Sequence, residues 1–383
     1  MDVVVDSTRA YRPLWLCLRV LAPTFFGASS HLVAACMWLL HLLVTLLFPL
    51  HLLLGLLLPA TPSEMFKNLT MSLSCAACSL KHIVHLWHLP HMVEITALLQ
   101  QLDACILSDE ELDYYRTTVQ RQVNRITRCI YISFAIIYII FVLSTILVLF
   151  SGPHEPVYLA WFPFDWRCSV YHYALAFGYQ FFSILIECLQ GIFNDLYTPL
   201  TLCYASGHLH LLGIRMTRLG FHRLPGIGIQ QQLLACFQDF KLFLRLHELT
   251  RATISYVQLI QLLFCGTNLC IIVIYALFYA EDVVDMTYNV VYFMVVCIQL
   301  FPSCYFASVL AQEAERFPNA VFSGNWYEQS AQYRRNVLIF TQLTLRLLKR
   351  PMMAGGLVEL NLNAFFATVK MAYSLFAVVV QAK

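Results

Sequence analysis

Apolar runs of membrane length alternate along this chain with polar stretches. Residues 31–58, 66–89, 129–150, 170–193, 255–279, 288–310 and 362–380 are each close to or above the ~20 residues that cross a hydrocarbon core. The fourth run keeps its helical pattern past Pro199 toward Met216, and Pro49 is a candidate kink in the first. Between them, residues 9–26 mix Arg9, Arg12 and Arg19 with Leu14, Trp15 and Phe25, which predicts a short helix lying in the interface. Residues 90–128 predict polar helix, with Ser108 and Glu111 spaced as a capping box. Residues 218–254 open on a Gly/Pro loop and turn amphipathic, and residues 312–350 are polar and amphipathic. The pattern predicts an all-α polytopic membrane protein with seven transmembrane helices. It divides into a 1–30 N-terminal interfacial segment, helices one to six over 31–310, an amphipathic region at 311–350 and a last helix within 351–383.

Composition narrows the class further. The 383 residues are 60% hydrophobic and 12% charged, with mean hydropathy +0.68, against about 25% charged in soluble domains. A net charge of +2 without a basic run gives no reason to expect nucleic acid. The 14 cysteines fall mostly inside apolar runs, where they act as small hydrophobes. Cys75 and Cys78 form a CxxC, but in mid-helix among apolar neighbours. No cofactor or metal is expected. No cleavable signal peptide is recognisable in residues 1–30.

Orientation follows from lysine and arginine alone. Nineteen of the 24 lie in the N-terminal segment and in the 90–128, 205–254 and 312–350 stretches; three lie in the opposite set, Lys67, Arg167 and Lys383. Positive charge stays cytoplasmic in short loops, so the N-terminus is expected inside and, after seven crossings, the C-terminus outside. The glycosylation sequon at Asn68 then falls on the outer side, close to the membrane. A G-protein-coupled receptor has the inverse orientation. An Asp-Arg-Tyr after span three and an Asn-Pro-x-x-Tyr in span seven are also missing.

The last sixty residues carry a specific pattern. Gly324-Asn325-Trp326-Tyr327 leads into Tyr333-Arg334-Arg335, then Phe340-Thr341-Gln342, Pro351, Ala354-Gly355-Gly356, Leu362, Phe365, Lys370 and Ala372-Tyr373-Ser374-Leu375-Phe376. In order and spacing this set, with seven spans and an inside N-terminus, resembles the insect odorant receptors. The related gustatory receptors end in Thr-Tyr followed by apolar residues and Gln. Here Ala372-Tyr373 and Gln381 stand too far apart for that pattern. A long insertion after span four, found in the family's co-receptor, is absent, so the chain is similar to a ligand-tuning subunit.

The resemblance implies a ligand-gated, nonselective cation channel in a sensory-neuron plasma membrane, a heterotetramer with the co-receptor that needs no G protein. Each seventh helix lines the pore. Val378, Gln381 and Ala382 match the family's gate positions, and the first and last of these share a helix face. Ala382 stands where the co-receptor carries a larger aliphatic residue. The region of Trp326, Tyr333 and Phe340 corresponds to the inter-subunit anchor; a solvated amphipathic helix is the plainer alternative. The ligand is expected in the outer half of helices two to six, where aromatic and small polar side chains suit a small, volatile, mostly apolar molecule. Candidate walls are Met71 and Cys75 on span two, Tyr138, Phe141 and Ser144 on span three, Tyr173, Phe177 and Phe181 on span four, Phe278 on span five, and Tyr288 and Tyr292 on span six. Plain core packing is the alternative for each.

Rival classes have separate signatures. A gustatory-type channel differs in the C-terminal spacing. A transporter would show repeated halves, and none are apparent. A membrane enzyme would draw on His82, His85, His88 and His91, but spacing by three drifts around a helix and suits neither a metal nor a catalytic set. Those histidines are expected to snorkel toward headgroups.

Overall fold

The computed structural model describes residues 5–27, 30–58, 61–106, 108–150, 156–221, 228–280 and 282–381. The helices are α1 (Arg12–Leu21), α2 (His31–Gly55), α3 (Pro62–Trp87), α4 (Leu89–Asp103), α5 (residues 109–150), α6 (Val170–Arg218), α7 (Ile229–Phe278), α8 (Val283–Phe322), α9 (Ala331–Leu348) and α10 (Leu362–Gln381). A hairpin of β1 (Met353–Ala354) and β2 (Val358–Glu359) precedes α10. Among the described residues, α2, α5, α6, α7 and α8 are long and apolar enough to cross a membrane. α3 and α10 complete seven, with 26 and 20 residues, or about 39 and 30 Å at 1.5 Å per residue. α3 is the less apolar because it carries a buried polar face that includes Asn68, Ser72, Ser79 and Lys81.

Two helices run further than the hydrophobic pattern suggests. α7 spans 50 residues and fuses the amphipathic 229–254 stretch to span five. α8 likewise absorbs the start of the 312–350 region, with Pro302 and Pro318 inside it. The change of composition marks the edge of the membrane, and α7 has no proline to stop it there. At about 75 Å α7 leaves half its length outside the bilayer. α6 continues through Pro199 to Arg218, as its pattern predicts.

Pro49 in α2 follows a π-helical segment at His41–Leu47. A proline ring collides with the carbonyl four residues back, and the wider π turn relieves that collision. Ser108 and Glu111 form the expected capping box, as do Thr61 and Glu64 at the start of α3.

The N-terminal segment does more than lie in the interface. Tyr11, Leu14, Leu18 and Leu21 repeat at helical spacing and are buried, while Leu16 and Val20 stay exposed. The Ser7 amide and hydroxyl both donate to Asp103 at 2.7 Å, and the Tyr11 hydroxyl lies 2.9 Å from that of Thr201. An interfacial helix needs one apolar face; this one docks that face onto α6.

At this end of the bundle, the anchor end, Arg215 of α6 donates to Glu111 at 3.0 Å and to Asp239 and the Cys105 carbonyl. Burial lifts the Cys105 and Cys236 thiols to about 12, so neither is a nucleophile there. Phe340 of α9 packs among Phe237, Phe240 and Phe317, with ring centroids 5.4, 5.4 and 6.1 Å away.

The histidines do not all snorkel. His82 and His85 are buried, with His85 edge-on to Phe193 and Tyr197 at 5.2 and 5.5 Å. α3 turns this face toward α6, so only His91 of the four is exposed and His88 is half-buried. Among the described residues, no group of three or more His, Cys, Asp or Glu is arranged to hold a metal.

Candidate functional site

The opposite, loop end gathers the ends of α2, α3, α5, α6, α7 and α8 under residues 156–169. This loop docks closely on α2. The Trp161 amide donates to the His51 carbonyl at 3.1 Å, and a Cβ at Gly55 would lie 2.6 Å from the Leu159 carbonyl oxygen. Gln180 of α6 clamps the loop from the other side. Its Oε1 accepts from the Tyr158 amide at 3.2 Å and its Nε2 donates to the Tyr158 carbonyl at 2.8 Å.

Beneath the clamp lies an apolar cluster separate from the main core. Phe48, Leu52, Cys75, Phe141, Ala160 and Ile184 are buried, with Met71, Tyr138, Tyr158 and Phe181 packed against them. The Phe141 and Phe181 rings lie 5.6 Å apart. Five of the eleven candidate walls, Met71, Cys75, Tyr138, Phe141 and Phe181, therefore come together from three helices. Tyr288 and Tyr292 stack at 6.1 Å on α8, within electrostatic range of the Tyr158 phenol. The Tyr292 hydroxyl lies 2.6 Å from Ser74, whose oxygen also accepts from Asn268 Nδ2 at 3.1 Å. Asn268 Oδ1 is buried without a partner. The site thus has an apolar floor and a neutral polar edge. Lys67 and Asp285 at the rim satisfy each other at 3.2 Å.

The remaining candidates lie elsewhere. Tyr173 and Phe177 contact each other at 5.8 Å, above the cluster on α6. Ser144 is exposed, with Thr145 buried beside it. Phe278 is 43% exposed at the end of α7. Sequence reasoning missed Tyr158 and Gln180. The loop's run of apolar and aromatic residues from Val157 to Phe162 was the available signal, since a solvated loop has no use for it.

Asn68, the sequon residue, lies on α3 where that helix packs against α2. It is 3% exposed and its amide donates to the Leu52 carbonyl at 3.5 Å. A glycan needs an exposed acceptor, and this side chain is sealed between α2 and α3.

Tyr333 and Phe340 are buried in this chain's own core, and Trp326 is half-buried with its indole N–H donating to the Phe322 carbonyl at 3.0 Å. Leu338, Ile339, Leu345 and Leu348 form the exposed apolar face of α9. α10 packs on α7 and α8, with Phe365 and Phe301 rings 5.3 Å apart and Ala372 buried. Its exposed residues include Asn363, Phe366, Ala367, Lys370 and Ser374, a stripe at helical spacing. The side chains of Val378 and Gln381, and all of Ala382, lie outside the described residues.

Comparison with known proteins is consistent along the whole chain. The family model described as 7tm Odorant receptor matches residues 61–373. Odorant receptor 33c of Drosophila melanogaster is 55% identical over 381 residues, covering 100% of this chain and 99% of that one. Odorant receptor 33a of the same species is 35% identical over 314 residues, 82% of each. The solved structure of the insect olfactory receptor OR5 from Machilis hrabei has the same fold, with TM-score 0.78 at 14% identity over 93% of this chain and 91% of that one. The same receptor in complex with eugenol gives 0.76 at 14% identity over 98% of each.

Proposed function

This chain belongs to the 7tm odorant receptor family, a multi-pass membrane odorant receptor, and from that premise we propose that it is the ligand-tuning subunit of a heteromeric, odorant-gated cation channel. Its partner is the family's co-receptor, and its place is the plasma membrane of a sensory dendrite. The loop end faces outward and the anchor end the cytoplasm, as the lysine and arginine asymmetry requires. The gustatory, transporter and enzyme readings have no support in the relatives.

The stripe on α10 carries the channel reading. Asn363, Lys370 and Ser374 are exposed along a helix of membrane length. An exposed lysine inside a bilayer faces water or protein rather than lipid. Turned toward a shared axis, the stripe wets a pore, with Val378, Gln381 and Ala382 forming its outer end. The exposed leucines and Ile339 of α9 then meet neighbouring subunits, supported from behind by Trp326, Tyr333 and Phe340.

The ligand binds in the cluster at the loop end. Met71, Cys75, Tyr138, Phe141 and Phe181 supply dispersion contacts, and Tyr288 and Tyr292 supply the polar contact. Tyr173, Phe177, Ser144 and Phe278 border the approach. A neutral volatile fits, because Lys67 and Asp285 at the rim pair with each other and Glu187, the carboxyl beside Cys75, is buried and holds the Ser79 hydroxyl. The Machilis hrabei receptor was solved with eugenol, which makes that phenol a reasonable first probe.

Whole-cell recording tests the proposal. Cells expressing this chain with the co-receptor should give a fast inward current to some volatiles of a broad panel, insensitive to G-protein blockade, and neither subunit alone should reproduce that profile. Surface delivery without co-assembly would overturn it. Within the responding set, Tyr292→Phe should weaken hydroxyl-bearing agonists about five- to tenfold, the worth of one hydrogen bond, and leave hydrocarbon-like agonists unchanged. Equal losses for both classes would show that the hydroxyl serves packing and not recognition.

A further inference from the structure

α2 and α6 part near the loop end, and residues 161–164 roof the gap. The result is a cavity of about 340 Å³, within the size range of small-molecule sites. Its walls are apolar: Leu47, Leu50 and Leu54 from α2, Leu175 from α6, and Phe162 and Phe164 from the roof. Phe48 and Leu52 of α2 face the cluster described above while Leu47, Leu50 and Leu54 face the cavity, and Phe162 and Tyr179 form the wall the two places share. Leu50 and Leu175 are 49% and 62% exposed, so the cavity opens on the side where lipid lies.

One ring nitrogen in its wall is unspent. His51 is 8% exposed and its Nε2 is buried without a hydrogen-bond partner. Leaving such a nitrogen unsatisfied is costly, and a ligand hydroxyl would remove that cost. The ring is also held fast. It stands edge-on to Phe162 at 5.0 Å and to Tyr179 at 5.3 Å, both at 89°. The hydroxyl in the wall is occupied, since Tyr179 donates to the Leu43 carbonyl at 2.6 Å. A fixed imidazole in the wall of an apolar cavity, with one ring nitrogen unpaired, has the form of a binding site for a molecule with one polar atom.

We propose that this cavity is a second ligand site, taking a small neutral alcohol that arrives through the bilayer. The hydroxyl pairs with His51 Nε2 and the hydrocarbon body lies along Leu47, Leu50 and Leu175. A lipid acyl chain fills the same space but leaves Nε2 unsatisfied. An alcohol both donates and accepts, so it pairs with either imidazole tautomer. The inference does not rest on the channel reading, because it concerns binding alone.

Photolabelling of the purified full-length chain in lipid nanodiscs tests it. The probe is a ten-carbon primary alcohol bearing a diazirine on its chain. Label is expected on peptides covering residues 43–54 and 161–179, and excess decanol should displace it. His51→Leu should reduce that label at least about fivefold, the worth of the hydrogen bond. Leu175→Trp, which fills the cavity from a lipid-exposed position and spares the imidazole, should reduce it as well. Label confined to the Met71 and Tyr138 peptides overturns the proposal. So does label at the cavity that decanol fails to displace, which is the behaviour of bulk acyl chain, or label that survives both substitutions.

Discussion

Replacing Lys81 with methionine should cost roughly 3–5 kcal/mol, the penalty for stranding one member of a buried ion pair. Lys81 of α3 donates to Asp195 of α6 at 2.5 Å and to the side-chain oxygen Oε1 of Gln261 on α7, and the two charged side chains are 6% and 3% exposed. One ammonium therefore joins three helices. Removing it leaves the Asp195 carboxylate in a place without water. Set against the 5–15 kcal/mol of a typical fold, the loss should show as poor surface delivery and a large fall in the unfolding midpoint in detergent. Asp195→Leu alone should be as damaging, since it strands the lysine. The double variant, Lys81→Met with Asp195→Leu, should recover most of the loss, because apolar residues of similar volume replace buried pairs well. Losses that simply add in the double variant would mean that the two side chains act independently, and the three-helix tie would be wrong.

The same cluster shows where sequence reading stops. Lys81, Glu187 and Asp195 are visible as charges in or beside apolar runs, and their burial follows from the cost of charge in lipid. Which of them pair does not follow. Lys81 is 114 residues from Asp195, and Glu187, one helical face away on the same helix, takes the Ser79 hydroxyl instead at 2.7 Å. Local patterns carried the seven helices, the capping box at Ser108 and the aromatic candidates of the loop-end cluster. They could not carry the length of α7, because leaving a membrane changes which residues are polar without ending a helix. Nor could they show the docking of Tyr11 and Ser7, where an amphipathic stripe has a partner on α6 that no spacing reveals. The Tyr158–Gln180 clamp is of the same kind: two backbone bonds to one glutamine, 22 residues away, that composition leaves unmarked.

Gly355→Ala should detach the last helix from the bundle, and Gly356→Ala should not. These neighbours form the turn of the hairpin in which Met353 pairs with Glu359 and Ala354 with Val358. Both have positive φ, +59° and +70°, and the Leu357 amide closes the turn on the Ala354 carbonyl at 3.0 Å. That is a type I′ geometry, which asks for glycine at both central positions. Any other side chain costs about 1–2 kcal/mol there in backbone strain. The two differ in surroundings. A Cβ at Gly356 meets open space, whereas one at Gly355 would lie 2.4 Å from Leu259 Cδ2 and 3.1 Å from its Cγ. The Gly355 amide also donates to the Ser255 carbonyl at 2.9 Å, so the turn is seated on α7 and cannot back away without losing that bond. Overpacking adds about 1–3 kcal/mol at the point where the chain turns into α10, whose first amide is held by the Ser308 hydroxyl at 2.9 Å. Expressed with the proposed co-receptor, the variant should reach the surface and carry little or no ligand-evoked current. Gly356→Ala should keep most of that current, and Gly356→Asn more still, since asparagine tolerates the left-handed region. Trimming the obstruction offers the converse test. Leu259→Ala should restore current to Gly355→Ala if the clash is the cause, and should leave it silent if strain alone is to blame.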